Sequence, residues 1–151
     1  MDKKTLYLDM DNVLVDFPSG IARITPELRA EFDERFDEVP GIFSLMDPKL
    51  GAIDAFLELS ELFDTYILST APWNNHSAWS DKLLWVKRHL GQPAHKRLIL
   101  SHHKDLNRGD FLVDDRVENG AGRFGGEHIQ FGTPRFHDWP LVMEYLRSKV
   151  R

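Results

Sequence analysis

The chain has 151 residues, enough for one domain with a single core and too few for two substantial ones, so further function has to sit on loops or a small insertion. An apolar fraction of 42% beside 28% charged residues is the make-up of an ordered globular domain, and the lack of cysteine excludes disulfides, thiolate metal sites and cysteine nucleophiles, which suits a reducing compartment, the cytoplasm. A net charge of −5 excludes a protein that grips a nucleic-acid polymer through a basic face, whereas a small phosphate ester needs only a few local cations and stays open.

A first strand is expected over Thr5–Leu8. Its apolar run stops at Asp9 and Asp11, far short of a signal-peptide core or a membrane span, so no export and no membrane contact is expected. From Thr25 to about Val39 the pattern is helical, with Thr25 and Pro26 as a start signal and Leu28, Phe32 and Phe36 on one stripe. Lying between the first strand and the next helix, it reads as a small helical cap insertion at about residues 17–47. Pro48–Leu62 carries Ile53, Phe56 and Leu57 at helical spacing, with Asp47 as N-cap and proline in the first turn. Thr65–Leu68 follows as a strand. Ser80–Leu90 then predicts a helix with Leu83, Val86 and Leu90 on its buried face, stopped by Gly91 and Pro93. Strands are expected at Arg97–Leu100, Phe111–Val113 and His128–Phe131, with a loop in the glycine-rich run Gly120–Gly126 and a last helix over Asp138–Lys149. Short apolar runs alternating with helical segments define an α/β class: a Rossmann-like parallel sheet with helices on both faces, forming one domain over residues 1–151.

Three of these strands end in polar residues: Asp9 after Leu8, Ser69 and Thr70 after Leu68, Asp114 and Asp115 after Val113. In a parallel sheet these ends share one edge, where open α/β sheets bind ligands. Carboxylates, a hydroxyl and, from the loop after Leu100, the ammonium of Lys104 would converge there. That set is suited to phosphoryl transfer.

Asp9-Met10-Asp11-Asn12-Val13, then Leu68-Ser69-Thr70, then Lys104 ten positions before Asp114-Asp115, resemble the ordered motifs of the haloacid dehalogenase (HAD) superfamily over nearly the whole chain. The longer stretches Asp9 to Phe17 and Ser69 to Asn75, with Trp85-Val86 beyond Lys82, are similar to the 5′(3′)-deoxyribonucleotidase family. The resemblance implies a Mg²⁺-dependent phosphomonoesterase in which Asp9 takes the phosphoryl group as an aspartyl-phosphate. Asp11 would protonate the leaving alkoxide and later activate water. It further implies that Asp9, the Asp11 carbonyl and Asp114 ligate the metal, that Asp115 holds a neighbouring water or donor, and that Thr70 and Lys104 bind phosphoryl oxygens. Capping of a following helix by Asp114-Asp115 would be compatible with metal binding.

Phe17, Phe43, Ala71, Trp73 and Lys82 are the candidates for substrate contact. Phe17 and Phe43, with Phe32 and Phe36, would line an aromatic lid, or alternatively form the insertion's own small core. Lys82 reads equally well as an exposed first-turn lysine. Ala71 stands where the family often has a second hydroxyl, so one phosphate or sugar contact is expected to be missing. Trp79 and Trp85 read as packing residues, and His76, His102 and His103, lacking spaced partners, stay outside the catalytic set. The expected substrate is a nucleoside monophosphate. A general or sugar-phosphate phosphatase and a non-catalytic phosphate-binding protein remain as alternatives.

Overall fold

The computed structural model describes residues 2–150. In chain order the elements are β1 (Thr5–Leu8), β2 (Val15–Asp16), α1 (Phe17–Ile21), α2 (Pro26–Glu31), β3 (Asp47–Pro48), α3 (Ala52–Leu62), β4 (Asp64–Ser69), α4 (His76–His89), β5 (Leu98–Leu100), β6 (Phe111–Asp114), β7 (Glu127–Gln130) and α5 (Trp139–Arg147). Five strands form one parallel sheet in the order β5-β4-β1-β6-β7. β1 is central, and Leu6 and Leu8 are fully buried, the continuous apolar character expected of a strand covered on both faces.

Alternate residues sort the two faces. Leu6, Leu8, Ile67, Phe111, Val113 and Ile129 join the main core with Phe56 and Leu59 of α3, Trp85 and Val86 of α4, and Trp139, Val142 and Leu146 of α5. On the opposite face Tyr7, Leu68 and Leu112 meet Ala121 and Phe124 around a 3₁₀ turn at Ala121–Arg123. The expected α/β sheet is present, with cover that is heavy on one face and slight on the other.

Two core tryptophans also brace the carboxyl edge of the sheet. Burying such a side chain contributes about 1.5–3 kcal/mol, and each indole has a polar end that needs a partner. Trp139 Nε1 donates to the Val13 carbonyl at 2.8 Å, fixing the loop after β1 to α5, and Trp85 Nε1 donates to the Met46 carbonyl at 3.0 Å, fixing the insertion to α4.

The insertion is bracketed by an antiparallel ribbon in which Val15 faces Pro48 and Asp16 faces Asp47. This ribbon corrects one expectation. Asp47 and Pro48 are strand residues, and α3 starts only after Gly51, which sits at φ +80° as its N-cap. Within the insertion Thr25 does cap α2, its Oγ1 accepting from Leu28 N at 3.2 Å. That helix ends at Glu31 with Phe32 already out of helical geometry at φ −104° and ψ 23°, Glu34 then turns into the left-handed region at φ 63°, and the chain continues as 3₁₀ turns at Phe36–Glu38 and Ile42–Leu45. α4 begins at His76 rather than Ser80, and its buried stripe is Ala78, Lys82, Trp85 and Val86, while Leu83 is 43% exposed.

Candidate active site

The carboxyl ends of β1, β4 and β6 bring Asp9, Thr70 and Asp114 to one edge, as their strand-end positions require. Directly after Asp9 the chain makes a tight turn whose hub is the Met10 carbonyl, accepting from the N–H groups of Val13, Leu14 and Val15 at 3.1, 2.9 and 2.9 Å. Asn12 takes φ 63°, a conformation its short polar side chain tolerates, and the Met10 side chain is buried in the core. Asp9 and Asp11 are thereby left facing the edge.

Asp9 is 6% exposed, and its Oδ1 accepts from Met10 N at 2.8 Å and from Lys104 Nζ at 3.0 Å. Lys104, carried on a 3₁₀ turn and 4% exposed, also donates to Asp114 Oδ2 at 2.5 Å. Asp114 is fixed from the other side by the Arg116 N–H, at 3.0 Å from its Oδ1, and no helix follows Asp114-Asp115 for it to cap. Oxygens of Asp9, Asp114 and Asp115 lie within 4.8 Å of one another. Burial, followed by the charge of Asp9, pushes the Asp114 carboxyl up to about 6 and that of Asp115 up to about 7, although Lys104 pulls Asp114 down. Burial works against the Lys104 ammonium, but the charges of Asp9 and Asp114 outweigh it and its pKa is raised. Three carboxylates against one ammonium leave an excess of negative charge among hard oxygen donors, a set that fits Mg²⁺.

On the other side of β1 the Asp11 carboxylate pairs with Lys82, and its pKa is raised by burial against the opposing pull of that lysine. Thr70 Oγ1 donates its single proton to the Ser101 carbonyl at 2.7 Å, and the residue lines the cavity described next.

A cavity of about 690 Å³ opens over these groups, with Asp9, Asp11, Thr70, Lys104 and Asp115 at its base. The insertion contributes Phe17 and Phe36 together with Glu34, Asp37 and Glu38, and the loop after β4 contributes Trp73 and Asn74. Insertion and loop are tied together: Asn75 Nδ2 donates to the carbonyls of Asp37 and Val39 at 2.9 and 3.0 Å, and Asn74 Nδ2 to Glu38 Oε2 at 3.1 Å. A second cavity, about 730 Å³ between α4 and β5, is lined mainly by Trp79, Leu83, Val86, Leu98 and Leu100 and gathers no comparable set of carboxylates.

Not all the expected substrate contacts face this cavity. Phe17 and the 80% exposed Trp73 do. Phe43 does not: it is 2% exposed, its ring set edge-on to Phe17 at 5.9 Å and lying 4.6 Å from Lys82 Nζ. Ala71 is fully buried in the main core, and Lys82 is fully buried rather than an exposed lysine, bonded to Asp11 and Ser69. Sequence reasoning passed over Glu34, Asp37, Glu38, Asn74, Arg116 and Asn119, all of which line the cavity, and set aside His102, which lines it too. For Arg116 there was a signal, a second basic residue two places past a strand-end carboxylate.

Residues 19–139 match the family model described as 5′ nucleotidase, deoxy (Pyrimidine), cytosolic type C protein. The chain belongs to this family. Over 148 residues it is 58% identical to a protein of Vibrio phage KVP40 provisionally named a 5′(3′)-deoxyribonucleotidase, an alignment covering 98% of this chain and 87% of that one. It is 30% identical over 177 residues to the human 5′(3′)-deoxyribonucleotidase, cytosolic type, covering 96% of this chain and 87% of the human one. The fold is shared with the provisionally assigned HAD-hydrolase YfnB of Bacillus subtilis, crystallised bound to magnesium, at a TM-score of 0.69 and 11% identity over 97% of this chain and 99% of that one. As a member of the nucleotidase family, the chain is a phosphatase with a HAD-like fold. No helix among the described residues is long and apolar enough to cross a membrane.

Proposed function

We propose that the chain is a Mg²⁺-dependent 5′-nucleotidase that hydrolyses nucleoside monophosphates, deoxy forms included, through an aspartyl-phosphate on Asp9. The observation that carries this reading is the convergence of Asp9, Asp114 and Asp115 within 4.8 Å beneath a cavity that also contains Asp11 and Lys104. Asp9, the Asp11 carbonyl and Asp114 would hold the cation, and Asp115, whose carboxylate stands in the same cluster, is close enough to join them or to hold a water beside them. Bound there, Mg²⁺ would supply charge neutralisation between two anionic reactants.

The rest of the chemistry falls to the chain's own groups. The Met10 N–H and Lys104 fix one oxygen of Asp9, and a carboxylate oxygen of this residue attacks phosphorus; its bond to phosphorus forms as the ester P–O bond breaks. Asp11 gives its proton to the departing alkoxide, then takes one from the water that attacks phosphorus and restores the Asp9 carboxylate. Lys104 holds phosphoryl oxygens as negative charge gathers on them, the stabilisation that dominates phosphoryl transfer, and the Thr70 hydroxyl joins it by turning its single proton from the Ser101 carbonyl to the phosphate.

Residues 17–47 form the cap that selects the leaving group. Phe17, Phe36 and Trp73 offer flat apolar surface to a base, while Glu34, Asp37 and Glu38 repel further phosphates and so favour a monophosphate. With Mg²⁺ present, nucleoside 5′-monophosphates are expected to be hydrolysed with roughly tenfold or greater kcat/KM than sugar phosphates, excess chelator to abolish turnover, and Asp114→Ala to raise the Mg²⁺ needed for half-maximal rate by about 10–100-fold. Full activity in excess chelator, or a preference for sugar phosphates in a side-by-side panel, would overturn this reading.

A further inference from the structure

We infer that Lys82 is a positioning residue that fixes the Asp11 carboxyl for proton transfer and does not bind substrate; this rests on the acid/base reading of Asp11 given above. Lys82 occupies a core position of α4, on the stripe shared with Ala78, Trp85 and Val86, and its side chain is 0% exposed. A buried ammonium is costly unless its three N–H groups are used. Here they are. Nζ lies 2.8 Å from Ser69 Oγ and 3.1 Å from Asp11 Oδ2, and 4.6 Å from the centre of the Phe43 ring, whose face attracts a cation.

The same geometry denies Lys82 any contact with a phosphate in the cavity, to whose lining it does not belong. Its effect has to pass through Asp11. That carboxyl stands on a tight turn with two torsions of its own, and the Lys82 bond is what anchors it: Oδ2 is taken, while Oδ1 is buried with no hydrogen-bond partner among the described residues. One oxygen held and the other unengaged is the arrangement a general acid and base needs, since the proton has to leave from and return to a defined place. The anchor is built from three separate parts of the chain: Ser69 closes β4 immediately before Thr70, Phe43 belongs to the insertion, and Lys82 to α4. The insertion therefore reaches the chemistry through Phe43 and Lys82, in addition to covering the cavity with Phe17 and Phe36.

The test compares two esters at saturating Mg²⁺: a nucleoside 5′-monophosphate, whose alkoxide needs a proton to leave, and p-nitrophenyl phosphate, whose nitrophenolate does not. Lys82→Met is expected to lower kcat on the nucleotide by about 10²-fold with KM changed less than about threefold. On p-nitrophenyl phosphate it is expected to give a burst of nitrophenolate equal to the enzyme concentration, followed by slow turnover, because the first step no longer needs Asp11 while water attack still does. Equal losses on both esters without a burst, a rise in KM alone, or unchanged kinetics would overturn the inference. Asp11→Asn run in parallel separates the two levels: if it too lacks the leaving-group dependence, the acid/base reading falls and takes the inference with it. If Asp11→Asn has it and Lys82→Met does not, only the inference falls. Should Lys82→Met fail to fold, Ser69→Ala, which removes one anchor of the ammonium and keeps the charge, is expected to give the same pattern at about tenfold, and its absence would count equally against the proposal.

Discussion

Two buried lysines flank the end of β1, one on each side, and they meet the cavity differently. Lys104 is 4% exposed, bridges Asp9 and Asp114, and lines the cavity floor. Lys82 is 0% exposed, bonds Asp11 from behind, and is sealed under Phe43. Both are lysine–carboxylate pairs taken out of water, yet only one can touch a phosphate. In the proposed roles the first acts on substrate and the second on another side chain; what separates them is whether the ammonium borders the cavity, and sequence order alone does not carry that distinction.

The contrast can be pressed from either side. Lys104→Met should cost about 10²–10³-fold in kcat on both an alkyl and an aryl phosphate, since charge gathers on the phosphoryl oxygens whichever group leaves. Burst kinetics on the aryl ester in this variant would mean that Lys104, too, works through Asp11. A smaller effect separates the two rings that meet at 5.9 Å. Phe17→Ala, which removes a cavity wall, is expected to raise KM for a nucleotide by roughly tenfold while sparing p-nitrophenyl phosphate. Phe43→Leu, which loosens the seat of Lys82, should leave KM nearly unchanged and lower kcat by about three- to tenfold, a part of the ~2 kcal/mol that a desolvated cation–ring contact is worth. Equal KM effects in the two variants would return Phe43 to the lid.

How legible each half was follows from the same physics. The convergence of Asp9, Thr70 and Asp114 was readable because a parallel sheet must deliver its strand ends to one edge, and Thr5–Leu8 was placed to the residue, whereas Asp11 and Lys104 were singled out by the order of the motifs that resemble the superfamily. The seat of Lys82 was missed because Asp81-Lys82 at a helix start looks solvated. The signal was present in the spacing of Ala78, Lys82, Trp85 and Val86, which is one helical stripe, but it was hidden by the more apolar Leu83 and Leu84, 43% and 59% exposed. The insertion was readable in outline only. Its apolar stripe of Leu28, Phe32 and Phe36 does pack against the core, but across a helix that has ended and a 3₁₀ turn that follows, with a left-handed Glu34 between them that no local propensity announces. Phe43 and Asp47 owe their places to partners distant in sequence, the Lys82 ammonium and the Asp16 strand, and no window around either residue contains that information.

All of this depends on Asp9 becoming phosphorylated. The most direct measurement is to quench a reaction of Asp11→Asn with Mg²⁺ and p-nitrophenyl phosphate in acid within the first turnover, reduce it with borohydride, and sequence the peptides by mass spectrometry. An aspartyl-phosphate is reduced to homoserine, so the account predicts that change at position 9 alone, in an amount matching the nitrophenolate released in the burst. Nitrophenolate released without any modified peptide, or modification at another carboxylate, would contradict it.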